Sequence, residues 1–167
     1  MGERAAGPAG GGGGAAEDGG LDLRSAAFSG HTLIPDRYSR DGGNTSPPLR
    51  WSSAPSGAEE LALLCEDPDA PGGTFTHWVV TGIPADVTSV EEGSTPDGAS
   101  VGRNDYGDTG WGGPQPPVGD EPHQYVFRLF AVDRPLGLGD GVTADDLRAA
   151  IDGHVLAGGT LVGLFGR

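Results

Sequence analysis

A mainly β fold, an antiparallel sandwich with a helix late in the chain, is what this sequence predicts, and three observations predict it. Short runs of apolar, aromatic and β-branched residues alternate with Gly, Pro and Asp clusters. Only one segment, near the C-terminal end, carries helical spacing. The 167 residues fit one domain, at roughly 100–200 residues per domain.

The elements follow in chain order. Residues 1–20 hold nine of the 32 glycines and no aromatic side chain. They cannot bury enough apolar surface to offset chain ordering, and predict a disordered tail before a domain at 21–167. Leu61-Ala62-Leu63-Leu64-Cys65 is a short apolar run, better suited to a buried strand than to a helix. Asp67-Pro68-Asp69-Ala70-Pro71-Gly72-Gly73 follows it and reads as a loop. Phe75 to Ile83 predicts a strand, with Phe75, His77, Val79 and Thr81 on one face by alternation. Residues 95–122 form a long Gly/Pro/Asp-rich connection, of a kind that is usually functional or holds short strands. His123 to Asp133 predicts the longest strand, with His123, Tyr125, Phe127, Leu129 and Ala131 sharing a face. Thr143 is placed to cap a helix whose Asp145 and Asp146 suit the positive end of its dipole. Leu147, Ala150, Ile151 and His154 recur at helical spacing, with Gly153 as the stop. Leu161 to Phe165 returns to an extended pattern.

Composition excludes several functions. The net charge is -14, and all 10 basic residues are arginine. General nucleic-acid binding needs a basic face to neutralise phosphates, and an anionic membrane surface asks for the same. No apolar run reaches the roughly 18 residues of a membrane span. No basic stretch followed by an apolar core marks a signal peptide, so the expected location is cytoplasmic. The single cysteine, Cys65, excludes an internal disulfide and a cysteine zinc cage, and in an apolar strand its thiol is inert.

Candidate chemistry lies at strand ends. Asp67 and Asp69 sit in a proline-bracketed loop, His77 on a strand, and His123 with Tyr125 on another. Each has a plain structural reading: a turn, a satisfied core histidine, a core tyrosine. His31 and His154 have no partner pattern and are read as structural. Two histidines, two carboxylates and a tyrosine together suggest a polar pocket. An enzyme using Asp–His acid–base pairs stays open, although no Gly-x-Ser-x-Gly nucleophile motif is present. A metal site from Asp67, His77 and His123 is chemically possible and ranks third. No cofactor is expected.

Five separated motifs, in order across residues 26–167, resemble the phosphatidylethanolamine-binding protein family. They are Gly43-Asn44-Thr45-Ser46-Pro47-Pro48-Leu49-Arg50-Trp51; Asp67-Pro68-Asp69-Ala70-Pro71 with Thr76-His77-Trp78-Val79-Val80; the stretch Gly102-Arg103-Asn104-Asp105-Tyr106-Gly107, Gly110-Trp111-Gly112-Gly113-Pro114, Pro116-Pro117 and His123-Gln124-Tyr125; Ile151-Asp152-Gly153-His154-Val155-Leu156-Ala157; and Leu161-Val162-Gly163. The short form is closest to the Raf-kinase-inhibitor-like branch of bacteria and archaea, the YbhB/YbcL type.

The resemblance implies a β-sandwich with helices towards the C-terminus and a small anion pocket at one end. Asp67 would line that pocket and Asp69 form a neighbouring wall. His77, His123 and Tyr125 would face the ligand, and Gly113, Pro114 and Pro117 would form the rim. The implied function is a binding module for a phosphorylated or carboxylated group, regulating or inhibiting a partner protein in the manner of kinase- or protease-inhibiting relatives. The donors would be neutral or protonated imidazoles, backbone N–H groups and the Tyr125 hydroxyl, and binding would weaken as pH rises if imidazolium is the binding form. Asp67 and Asp69 would hold those imidazoles or accept from a ligand ammonium. A cis Ala70–Pro71 bond and a homodimer are also implied; among the residues themselves Trp111 is a candidate for such an interface, with packing over its own sandwich as the alternative. Two departures stand out. Gln124 replaces the usual arginine between histidine and tyrosine, and no long C-terminal helix follows, so lid-dependent regulation is not carried over.

Overall fold

The computed structural model describes Gly20–Arg167. The expected tail lies outside the described residues except for Gly20, which bridges to Gly158.

The apolar run at Leu61 is the middle of a longer strand, β3. In chain order the strands are β1 (Thr32–Leu33), β2 (Leu49–Arg50), β3 (Glu60–Asp67), β4 (Phe75–Ile83), β5 (Ser89–Val90), β6 (Ser100–Val101), β7 (His123–Val132) and β8 (Val155–Phe165). One α-helix, α1 (Ala144–Ile151), precedes β8, and a 3-10 turn spans Asp36–Tyr38. Six strands form one sheet in the order β1-β8-β7-β3-β4-β6, while β2 and β5 pair separately. The ladders are antiparallel except β1 against β8, which is parallel. Those two strands are joined through most of the chain, which gives room for the crossover that a parallel pair requires.

Every residue of β3 is buried, which is why its sequence is a continuous apolar run rather than an alternation. One face of the sheet presents Leu61, Leu63, Cys65, Trp78, Phe127 and Leu129 to Leu21, Phe28, Ile34, Leu49, Trp51 and Val90 of the second layer. The other face presents Ala62, Leu64, Val79, Phe130 and Val132 to Ala144, Leu147 and Ile151 of α1. Each fully buried Leu or Phe in these layers contributes about 1.5–3 kcal/mol relative to exposure.

The predicted helix start holds. Thr143 Oγ1 accepts from the Asp146 N–H at 3.1 Å, and Asp146 Oδ2 accepts from the Thr143 N–H at 3.0 Å, a reciprocal capping box. The helix ends at Ile151, short of His154, which instead sits 2.9 Å from Asp133 through Nδ1. Gly153, at φ +79°, makes the turn out of the helix.

One expectation is corrected. No peptide bond among the described residues is cis, so Ala70–Pro71 is trans. The Gly73 N–H donates to the Ala70 carbonyl at 3.0 Å, closing a β-turn with Pro71 in its second position. That position takes a trans proline, and Gly73 at φ +109° then leads the chain into β4. Trp111, half-buried, packs over its own sandwich, the alternative to an interface role. It stacks on Phe127 with ring centroids 6.0 Å apart and meets Trp78 edge-on at 5.4 Å, while its indole N–H donates to the Tyr38 carbonyl at 3.1 Å.

Candidate functional site

A β-bulge assembles the polar end of the sheet. Cys65 pairs with Trp78, but the next residue of β3, Glu66, pairs with Thr76. His77 is therefore the extra residue of β4, and simple alternation fails there. Val79 goes to the α1 side, whereas His77 turns to Tyr125, with ring centroids 5.2 Å apart. The expected common face of Phe75, His77, Val79 and Thr81 is thus split. Phe75 and His77 belong to the site, with rings 4.9 Å apart.

On β7 alternation is intact. Tyr125, Phe127, Leu129 and Ala131 all enter the sandwich core. His123, two residues before Tyr125, opens that face at the sheet end. Asp67, the last residue of β3, reaches across: its carboxylate lies 2.7 Å from His123 Nδ1. Asp67, His77, His123 and Tyr125 are all buried, at 3%, 3%, 5% and 0% exposure. Asp69 is an exposed buttress rather than a wall. Its N–H donates to Asp67 at 2.7 Å, and its own carboxylate accepts from the Gln124 N–H at 2.8 Å. The side chain of Gln124 alternates to the face opposite His123 and Tyr125, so the departure from arginine leaves the histidine side of the strand untouched.

The glycine–proline loop closes the site. The Gly112 carbonyl accepts from His77 Nδ1 at 2.6 Å, and the Gly112 N–H donates to the His77 carbonyl at 2.9 Å. Asn44, at φ +49°, accepts from the Gly113 N–H at 2.8 Å, and the Arg40 N–H donates to the Pro114 carbonyl at 3.0 Å. The signature around Asn44 thus clamps the loop from the second layer. Gly113 is obligatory: an added Cβ would fall 2.1 Å from the Tyr38 carbonyl oxygen. Gly113 and Pro114 are buried, while Pro117 is exposed farther along the loop.

Three neighbours were not singled out by sequence. Tyr106 meets Phe75 at 4.7 Å and His77 at 5.8 Å, and its hydroxyl donates to the Gly113 carbonyl at 2.8 Å. The Arg40 guanidinium covers that ring at 3.7 Å. Asp120 lies 3.2 Å from His123 Nε2. The signals were present, since Tyr106 lies inside a quoted motif and Asp120 is three residues before His123. Only the fold shows what they touch.

The two histidines differ electrically. Burial pushes the His77 pKa below its ordinary value, against weaker support from the Gly112 carbonyl and the Asp67 charge. His77 is therefore neutral near pH 7, with its proton on Nδ1 towards Gly112. Its Nε2 has no hydrogen-bond partner among the described residues, yet it is not sealed off. The one sealed, unpartnered side-chain polar atom among them is Thr81 Oγ1. At His123 burial also lowers the pKa, but the Asp67 and Asp120 carboxylates outweigh it and the net shift is upward. Burial, reinforced by the Asp67 charge, drives the Tyr125 phenol far up, so its hydroxyl stays protonated. The arrangement offers one open imidazole nitrogen, a protonated Tyr125 hydroxyl beside the Asp67 carboxylate, and a second imidazole fixed between carboxylates. No group of three or more potential metal ligands occurs among the described residues.

Comparison with known proteins places the chain among relatives. A family model described as phosphatidylethanolamine-binding protein matches residues 24–166. The chain is 46% identical over 152 residues to a UPF0098 protein of Methanothermobacter thermautotrophicus, covering 88% of this chain and 99% of that protein. It is 41% identical over 145 residues to LppC of Mycobacterium tuberculosis, which carries a lipoprotein's name, covering 87% of this chain and 72% of LppC. Among solved structures it is similar to Escherichia coli YbcL, described as a new member of the mammalian PEBP family. The TM-score is 0.83 at 30% identity, with 88% of this chain and 98% of YbcL covered.

Proposed function

The chain belongs to the phosphatidylethanolamine-binding protein family, and from that membership we propose that it is a non-enzymatic module that binds a small anionic group and thereby regulates or inhibits a partner protein. The observation that carries this reading is His77. Its Nδ1 is committed to the Gly112 carbonyl, and its Nε2 is open beside Tyr125 and the Asp67–His123 pair. A phosphate monoester provides what such a nitrogen lacks, either as a P–OH that donates to neutral Nε2 or as a dianion that draws a proton onto it. Both routes bind one proton more than the separated dianion and neutral imidazole. Affinity therefore falls as pH rises above the phosphate's second pKa of about 6.

Acid–base turnover has less to work with here. Both nitrogens of His123 already face carboxylates, at 2.7 Å and 3.2 Å, leaving neither free to take a substrate proton. A cytoplasmic setting is part of the proposal. Among the described residues no helix is long and apolar enough to cross a membrane, while LppC carries a lipoprotein's name. Fractionation of cells expressing the chain distinguishes the two locations.

Calorimetric titration with inorganic phosphate and O-phosphoethanolamine tests the binding reading. The expected result is saturable binding that weakens tenfold to hundredfold in His77→Ala, the loss of one charge-assisted hydrogen bond worth about 1.5–3 kcal/mol. Affinity unchanged by that substitution contradicts the site. Turnover of a phosphate or acyl ester that disappears in both His77→Ala and His123→Ala would instead establish an enzyme.

A further inference from the structure

We propose that Asp120 is an intramolecular stand-in for the ligand: its carboxylate occupies the outer nitrogen of His123, and an anion enters by displacing it. The inference rests on the anion-binding reading above and adds the residue that sets the threshold for entry.

The two carboxylates on His123 are not equivalent. Asp67 is the inner one, 2.7 Å from Nδ1, with a side chain 5% exposed. It ends a strand, and one of its oxygens is also held by the Asp69 N–H. Its position is set by the sheet. Asp120 is the outer one, 3.2 Å from Nε2, with a side chain 45% exposed. Among the described residues its carboxylate has no other partner. Its backbone is held by one long bond, from its N–H to the Pro117 carbonyl at 3.2 Å. The preceding Gly119 stands at φ +91°, and residues 117–122 are all exposed. Moving Asp120 into water breaks one part-buried contact, the sole partner of a half-exposed carboxylate among the described residues. Moving Asp67 would strand a buried charge.

With Asp120 withdrawn, His123 Nε2–H becomes a charged donor on the same side of the sandwich as Tyr125 and the open Nε2 of His77. The withdrawn carboxylate sets the threshold for entry. A monocarboxylate replaces it with a group of the same charge and the same number of oxygens, and gains little. A phosphate monoester brings a third acceptor oxygen and close to a second charge, so it gains more. The ligand class is therefore a phosphate monoester in preference to a simple carboxylate, and Asp120 sets the threshold that either must overcome.

Asp120→Ala and Asp120→Asn in the full chain test this, with affinities for inorganic phosphate, O-phosphoethanolamine and acetate read by NMR shift titration. The expected result is about tenfold tighter binding of all three in both variants, since removing the competing contact is worth on the order of 1 kcal/mol. The ratio of phosphate to acetate affinity should stay as it is, because the cost of withdrawing Asp120 is common to both, and this uniform tightening is a change that a merely structural role of Asp120 does not produce. Phosphate binding that is unchanged or weaker in Asp120→Ala, in a wild type that binds phosphate, overturns this inference alone. Absence of binding to all three probes in wild type and variants alike overturns the anion reading and this inference together.

Discussion

Histidine 77 and histidine 123 sit in one site with opposite electrostatic histories, and their titrations differ accordingly. His77 is pulled down by burial, and His123 is held up by Asp67 and Asp120 against burial. An imidazole signal titrating below about 6.5 and another above it are expected by NMR. Asp67→Asn should move the upper one down, and a His123 pKa unmoved by that change contradicts the pairing. The signs carry through to stability. For His123, with a raised folded pKa, the contribution is full below about 6.5 and is lost as pH rises through the folded value. For His77, with a lowered folded pKa, the contribution is full above about 6.5 and is lost as pH falls through the folded value. Denaturant unfolding across pH should therefore show His123→Gln losing its destabilising effect towards alkaline pH. A defect constant from acid to alkaline pH excludes the linkage. The sequence left neutral and protonated imidazoles both open as donors, and the two histidines divide between them. His77 is neutral before the ligand arrives, and the one imidazolium is already engaged by carboxylates.

At the scale of elements, the bulge in β4 and the loop at Gly112–Pro114 decide whether the site exists. Gly113→Ala is expected to displace the loop, because the added methyl carbon meets a backbone oxygen at 2.1 Å rather than a flexible side chain. Phosphate affinity should fall with it, while Thr143→Ala, a cap on the far side of the sheet, should cost about 0.5–2 kcal/mol of stability and leave affinity alone. Urea melts paired with titrations separate these outcomes, and an unperturbed affinity in Gly113→Ala contradicts the role of the loop. Legibility in the sequence followed the same division. β4, β7 and the start of α1 were readable because each is fixed by local pattern: aromatic and β-branched runs, alternation, a capping threonine. The two-residue strands β1, β2, β5 and β6 carry too little pattern to be read. The bulge was not readable, since an extra residue is defined only by the register of the partner strand, and it re-aimed the one histidine that matters most. The sequence put His123 and Tyr125 on one face because β7 has no such irregularity at that end, and Asp67, the last residue of β3, meets His123 there. Asp69 was recognised as adjacent, but its role as a buttress depends on the Gln124 N–H across the gap.

On the scale of the whole molecule, three layers hold the site at one end of the sandwich, and its rigidity comes from the core beneath it. Phe127 is fully buried, stacked on Trp111 and 5.8 Å from Phe28. Phe127→Ala should cost about 3–5 kcal/mol, more than His77→Ala costs in stability, a ranking that thermal or urea unfolding checks directly. The net charge of -14 opposes an approaching anion, but screening within about 8 Å at physiological salt confines that to the on-rate. A homodimer remains a proposal to be read by light scattering. A monomer mass at all concentrations excludes it. The central claim, that this end of the sandwich is an anion site built on His77, is tested most directly by a crystal grown with phosphate. The account predicts density for the anion within hydrogen-bond reach of His77 Nε2 and the Tyr125 hydroxyl, with Asp120 withdrawn from His123. A well-ordered site at saturating phosphate that holds only water, with Asp120 still on His123, would contradict it.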